Sequence, residues 1–269
     1  MSLGRYGYDR PAMPASPPLT ELLDFATRAA WLAGRRTLAH FQTAVAVDYK
    51  SDDSPVTVAD RSTEQLLRET IAERFPDHAL LGEEFGEGAA GSPFRWVLDP
   101  IDGTQSFIRG VPLYGVLVAL EIEGTPRIGV AHFPALNETV AAASGLGCWW
   151  NGRRAAVSST ASLGDAAVGY SDTRMLHDRL GDRWVTLQHG SRVQRGWGDC
   201  YGHCLVATGR LDVMLDPVTN PWDCSALIPI LHEARGTFTD WSGAVTATGG
   251  DAFSTNGRLF SSVLAALGA

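Results

Sequence analysis

The chain has 269 residues with 22 basic and 30 acidic side chains, a net charge of −8, and a composition 45% hydrophobic and 19% charged. That is the length of one large domain or two closely packed lobes, with the composition of a soluble globular protein. The acidic balance argues against a nucleic-acid partner, because there is no basic excess to displace counterions. No apolar run reaches the roughly 18 residues of a membrane span.

Residues 1–18, rich in Gly, Pro and Tyr, lack the apolar stretch of a signal peptide and read as a disordered leader. From Thr20 to Phe41 the spacing of Leu22, Ala26, Ala29, Ala30, Ala33 and Leu38 predicts a helix. A polar loop over Lys50–Pro55 follows. A second helix is expected to start near Asp60, with Asp60 as its cap, and to stop before Pro76. Leu80-Leu81 is a short strand that runs into Gly82-Glu83-Glu84, and the apolar run from Trp96 is a buried strand that ends in Asp99 and Asp102, with Pro100 and Gly103 fixing a turn. Three further strands are expected over Gly115–Ile122, Ile128–Phe133 and Thr139–Ala143, the first two antiparallel across a Glu123-Gly124 turn.

Past a soft boundary near residues 145–160, Val168–Ser171 reads as a strand and Asp199–Thr208 as a helix closed by Gly209. Leu211–Leu215 is then a strand, Trp222 to about Ala234 a helix, and Gly236–Asp240 a strand. Strands of both directions mixed with helices predict an α+β class in which helices layer on sheets. The expected organisation is an N-terminal lobe, 19–150, and a C-terminal lobe, 151–269, within one compact unit. Four cysteines (Cys148, Cys200, Cys204, Cys224) show neither a C-x-x-C pair nor a zinc spacing. They read as buried small apolar side chains, with the cytoplasm as the default compartment.

Acids stand at the edges of apolar elements in four segments: Asp60, Glu83-Glu84, Asp99 with Asp102, and Asp223. Any one of them alone is a cap, a turn residue or a surface charge. In Asp99-Pro100-Ile101-Asp102-Gly103-Thr104, however, a strand end gathers two carboxylates three residues apart, a costly arrangement unless a cation sits there. The lack of His and Cys beside these acids favours Mg²⁺ or Mn²⁺ over Zn²⁺. The Gly-Thr that follows suggests an oxyanion bound alongside.

These residues, together with Pro55-Val56-Thr57-Val58-Ala59-Asp60, Gly82-Glu83-Glu84 and Trp222-Asp223, resemble the inositol monophosphatase family of Mg²⁺-dependent, lithium-sensitive phosphatases. The likeness spans nearly the whole chain from about residue 20. It implies the layered α-β-α-β-α sandwich of the inositol monophosphatase and fructose bisphosphatase type, two or three Mg²⁺ ions (Mn²⁺ also suits), and a homodimer. By the same resemblance, Glu83, Asp99 and the Ile101 carbonyl hold one ion. Asp99, Asp102 and Asp223 hold a second, with Asp99 bridging, and a looser third sits near Glu83. Thr104 and Asp60 orient the attacking water, and the N–H groups of Gly103 and Thr104 receive phosphate oxygens. Glu84 is either an outer support, part of the third site, or a solvated loop acid.

The partner implied is a small-molecule phosphate ester. Arg195-Gly196-Trp197-Gly198-Asp199-Cys200-Tyr201-Gly202, Trp222–Ile230 and Thr239-Asp240-Trp241-Ser242-Gly243 are most similar to the histidinol-phosphatase branch. The expected activity is therefore hydrolysis of L-histidinol phosphate, a step of histidine biosynthesis. An inositol-1-phosphate or broad-specificity phosphatase of the same family is the alternative. Asp216 falls where the family places a substrate-reading acid, with a strand-end turn as its other reading. Asp199 is a second reader or a helix cap. Arg195 bridges to substrate or to a neighbouring subunit, or is a surface charge. His203 and His232 read as packing or surface residues.

Two positions depart from the family pattern. Asp216 stands where Glu is common, and Ala234-Arg235-Gly236 where Ala-Gly-Gly is usual. Rival readings are a non-catalytic binding or regulatory protein, against which Asp60, Glu83 and Thr104 speak, and a structural domain with solvated acids. The latter would show no Mg²⁺-dependent thermal stabilisation.

Overall fold

A computed structural model describes residues 17–43, 45–50, 55–88 and 91–268. Residues 1–16 of the expected leader and residues 51–54 of the polar loop lie outside them. The first helix, α1 (Leu19–Leu38), buries the stripe Leu22, Ala26, Ala29, Ala30 and Ala33, whose short side chains let it lie close on its neighbours. Its first turn carries Glu21 and its last Arg35 and Arg36, which complements the helix dipole. A small hairpin of β1 (Val47–Tyr49) and β2 (Pro55–Thr57) leads directly into α2 (Val58–Arg74). That helix stops at Phe75, because a residue that precedes proline is driven out of the helical region.

The chain then lays down β3 (Ala79–Gly82), β4 (Gly86–Glu87), β5 (Phe94–Asp102), a short α3 (Thr104–Ile108), β6 (Gly115–Ile122), β7 (Thr125–Phe133), β8 (Glu138–Ala143), β9 (Gly147–Trp150) and β10 (Arg153–Arg154). The strands from β3 to β10 form one sheet in the order β10-β9-β8-β7-β6-β5-β3-β4, antiparallel except where β3 runs parallel to β5. Ile122 pairs with Thr125, so the β6–β7 connection is the expected two-residue turn.

The second half supplies β11 (Ala167–Tyr170), α4 (Thr173–Leu180), α5 (Asp182–His189), β12 (Val193–Arg195), α6 (Asp199–Ala207), β13 (Val213–Asp216), α7 (Pro221–Cys224), α8 (Leu227–Glu233), β14 (Thr237–Thr239), β15 (Ala252–Thr255) and α9 (Phe260–Leu267). Its five strands are ordered β12-β11-β13-β15-β14.

Three buried clusters stack these elements into alternating layers. Trp96, Leu98, Val116, Val118 and Val130 face Leu22, Ala26 and Leu67 of α1 and α2. The opposite face of the same sheet (Val97, Leu117, Ala131, Phe133) packs on Cys204, Val206, Leu227 and Ile230 of α6 and α8, which also touch Met214 of the second sheet. Val168, Val213, Leu215 and Phe253 then turn to Leu176, Trp184, Leu187 and Val263 of the outer helices. The result is the α-β-α-β-α sandwich, with a sheet on either side of α6 and α8.

Three local expectations need correction. The turn expected between Asp99 and Asp102 is instead a bulge within β5, since Asp99 pairs with Leu117 and Asp102 with Gly115. Pro100 and Ile101 thus lie opposite the single residue Val116, and Pro100, which has no N–H to give a ladder, sits within the irregular stretch. The single helix expected over Trp222–Ala234 is two, because Pro229 has no N–H to bond the Ser225 carbonyl four residues back. Asp60 does not cap α2. Thr57 does, and Asp60 is the third residue of the helix.

The departure at Arg235 also has a structural counterpart. This exposed residue follows α8 with φ of 70°, the left-handed conformation that glycine adopts without a Cβ penalty.

Candidate active site

Two of the site acids are delivered by the same local device. Asp60 and Asp223 each occupy the third position of a helix whose cap is Thr57 or Asn220. In each, one carboxylate oxygen accepts the backbone N–H of the cap residue, Thr57 N at 2.8 Å and Asn220 N at 2.7 Å. This is a capping box, in which the acid reaches back over the helix end. Asp60 also accepts the Thr57 hydroxyl at 2.6 Å.

The bulge at the end of β5 carries Asp99 and Asp102, both buried. Asp99 Oδ1 accepts the N–H of Ile101 at 3.0 Å, which folds the bulge over its own side chain. Asp102 Oδ1 accepts the N–H of Cys200 at 2.9 Å, so the first turn of α6 points at this acid from the second half of the chain. Gly103, with φ of 81°, turns the chain into α3. A Cβ there would lie 3.1 Å from Asp199 Oδ2, so the glycine also admits the Asp199 carboxylate. The Thr104 hydroxyl donates to the Ile101 carbonyl at 3.0 Å.

Asp99, Asp102 and Asp223 present carboxylate oxygens that all lie within 4.8 Å of one another. Burial, followed by the charges of Glu83, Asp102 and Asp223, holds the Asp99 carboxyl well above the usual range. Burial does the same to Asp102, reinforced by Asp199 and Asp223. Asp223 is pushed up to about 6 by burial, against its bond from Asn220 N–H. Burial also raises Asp60, opposed by the Thr57 bonds. No Lys or Arg ion pair with Asp99, Asp102 or Asp223 is present among the described residues. A buried group of hard oxygen donors with no cation of its own is what a divalent hard cation fits.

Glu83 and Glu84 flank this group. Lys50 Nζ lies 2.8 Å from Glu83 Oε1 and 2.7 Å from Glu84 Oε1, so Glu84 is ion-paired rather than solvated. Burial raises Glu83 to about 7, opposed by Lys50 and helped by the charges of Glu84 and Asp223. The turn that carries both is pinned from beneath: Glu84 N–H and Phe85 N–H donate to buried Glu64 at 2.6 and 3.2 Å. Glu64 lies inside the helical pattern of α2 and carries no sequence signal of its own.

Among the expected substrate residues, Asp199 opens α6 with φ of 58°, after Gly198 at the cap. Its carboxyl is pushed up to about 7 by burial and by the charges of Asp216 and Asp223. Asp216 ends β13 and is buried, with Oδ2 2.8 Å from His203 Nε2. His203 is therefore buried, as expected of a packing residue, but it is bonded to an acid of the cleft. Its position four residues after Asp199 on one helix face was the only sequence hint. Arg195 is exposed on β12 and donates to the Gln194 carbonyl at 2.7 Å. His232 is exposed.

The sequence model of the inositol monophosphatase family matches residues 18–267. A histidinol-phosphatase of Chlorobaculum parvum is 44% identical over 253 residues, which cover 93% of this chain and 98% of that protein. A histidinol-phosphatase of Mycobacterium tuberculosis is 38% identical, with 83% of this chain and 88% of that one covered. Among solved structures, an IMPase of Thermotoga maritima superposes with a TM-score of 0.84 at 30% identity, over 92% of this chain and 96% of that one.

Proposed function

The chain belongs to the inositol monophosphatase family and is a phosphoric monoester hydrolase; from that premise we propose that it hydrolyses L-histidinol phosphate to L-histidinol and phosphate with Mg²⁺. The likeness to histidinol-phosphatases over nearly the full length of both chains carries this reading. The second half of the cleft supports it chemically. Asp199 and Asp216 add two carboxylates beside the acid group, and a substrate with an ammonium and an imidazole suits such acceptors. Phosphate release from histidinol phosphate, compared with inositol 1-phosphate and adenosine 3′,5′-bisphosphate, tests the reading. A preference for inositol 1-phosphate would sink the substrate assignment and leave the hydrolase.

Glu83, Asp99, Asp102, Asp223 and the Ile101 carbonyl would hold two or three Mg²⁺ ions, with Asp99 shared; Mn²⁺ suits the same oxygens. When bound, the ions make water a stronger nucleophile and neutralise charge on the phosphoryl oxygens. The protein's own groups would do the rest. Thr104, whose hydroxyl proton is given to the Ile101 carbonyl, keeps lone pairs to accept from the attacking water. Asp60, anchored by Thr57, would accept that water's other hydrogen. The N–H groups of Gly103 and Thr104, at the start of α3, would bind phosphate oxygens. Water attacks phosphorus in line: its oxygen bonds phosphorus, the ester P–O bond breaks, and the departing alkoxide takes one of the water's protons to leave as the alcohol.

In this scheme residues 19–150 supply most ion ligands, and residues 151–269 supply Asp223 and the substrate contacts. A cytoplasmic location suits four buried, unpaired thiols. The family's homodimer belongs to the same proposal, with light scattering on the eluted protein as its check.

A further inference from the structure

Behind Asp216 stands a buried array that the scheme above does not use. Asp216 Oδ2 bonds His203 Nε2, and His203 Nδ1 lies 2.8 Å from the Oγ of Ser254 on β15. His203 is 1% exposed and Ser254 0%. The Phe238 ring packs against the imidazole at 5.1 Å. The other oxygen of Asp216, Oδ1, is buried and has no hydrogen-bond partner among the described residues. Asp216 ends β13 and is 6% exposed, and its charge acts on both Asp199 and Asp223.

A carboxylate accepts at both oxygens, and a desolvated acceptor without a donor is costly, more so if charged. A carboxylate oxygen accepts, so Nε2–H donates to Asp216; with Nδ1 held by Ser254 Oγ, the ring cannot turn to serve Oδ1 as well.

We propose that His203, held by Ser254, is a specificity-determining positioning residue that ties down Oδ2 of Asp216 and leaves Oδ1 to accept an N–H of the substrate's ammonium group. The inference rests on the proposed reading that the substrate carries such a group. A hydrogen bond between an ammonium and a carboxylate is stronger than one from a neutral hydroxyl, so an acceptor held in this way favours a cationic ester. It is held by side chains from α6 and from β15, the strand that pairs with β13. Its geometry therefore depends on the packing of the second sheet rather than on the ion site.

The test is steady-state kinetics of the full chain with saturating Mg²⁺, using histidinol phosphate and p-nitrophenyl phosphate, which has no ammonium. In His203→Phe the ratio of kcat/KM for histidinol phosphate to that for the aryl phosphate falls about tenfold, chiefly through KM of histidinol phosphate. His203→Gln, whose amide nitrogen reaches the place of Nε2, restores most of that ratio. An unmoved ratio in His203→Phe, equal losses on both substrates, or a Gln variant as impaired as Phe overturns the proposal. If circular dichroism shows that His203→Phe does not fold, Ser254→Ala carries the same test. It is expected to lower the ratio by a smaller factor, and an unmoved ratio overturns the proposal. A wild-type preference for inositol 1-phosphate overturns the substrate reading and this inference with it. Preference for histidinol phosphate with unmoved variants overturns the role of His203 alone.

Discussion

Glu64 and Asp102 are both buried carboxylates on the edge of the same cleft, yet their surroundings are opposite. Glu64 is 0% exposed and accepts Arg68 Nε at 2.7 Å and the backbone N–H groups of Glu84 and Phe85. Asp102 accepts one backbone N–H and faces Asp199 and Asp223, which raise it further. The first acid is neutralised within the protein and holds the Glu83-Glu84 turn in place. The second has no Lys or Arg partner among the described residues. What distinguishes a structural from a chemical buried acid here is its donor list, not its burial.

The largest effect should come from the uncompensated side of this contrast. Asp102→Asn is expected to lower kcat by about two to three orders of magnitude, measured as phosphate release under saturating Mg²⁺. The same change should stabilise the ion-free protein, raising its unfolding midpoint by about 3 °C for each kcal/mol of relieved repulsion. A lowered midpoint would place Asp102 with Glu64 and erase the distinction. Glu64→Ala is expected to do the reverse, with a stability loss of about 3 kcal/mol in urea titration, because the N–H groups of Glu84 and Phe85 and the half-buried Arg68 lose their shared acceptor.

A pH series sharpens the same comparison. The acids of the cleft bind protons more tightly folded than unfolded, so ion-free stability should fall as pH rises from near 4, where unfolded carboxylates titrate. The fall should continue through about 6 to 7, where Asp223, Glu83 and Asp199 titrate in the folded chain. Mg²⁺ competes with those protons, so its stabilising effect should grow over the same window in thermal melts. A pH-independent Mg²⁺ shift would mean that the ion binds elsewhere. The smallest effect lies outside the cleft: Arg235→Gly should raise stability by about 1 kcal/mol by removing a Cβ from a left-handed backbone, with kcat unaltered.

The sequence revealed the acids that matter because each stands at an abrupt change from apolar to polar residues, which marks where an element opens onto a cleft. Asp99 with Asp102 was plain for that reason, and so was Asp223. Glu64, His203 and Ser254 were not, since a polar residue inside an apolar pattern looks the same whether it packs, caps or bonds a distant partner. Ser254 Oγ and His203 are 51 residues apart, and His203 and Asp216 are 13 apart. No local spacing rule relates such pairs.

The helical period of α1, the two-residue turn after Ile122 and the order of the four acidic segments follow from local chemistry, so the sequence alone determined the α+β class and pointed to the acids that the fold gathers. Tertiary structure decided the rest. It placed the β5 bulge opposite the start of α6, tied Lys50 to Glu83 and Glu84, and left one oxygen of Asp216 without a donor. These are contacts between elements far apart along the chain. Their distances are fixed by how the layers pack, and charge compensation, which separates a support from a reactive site, is a property of those distances.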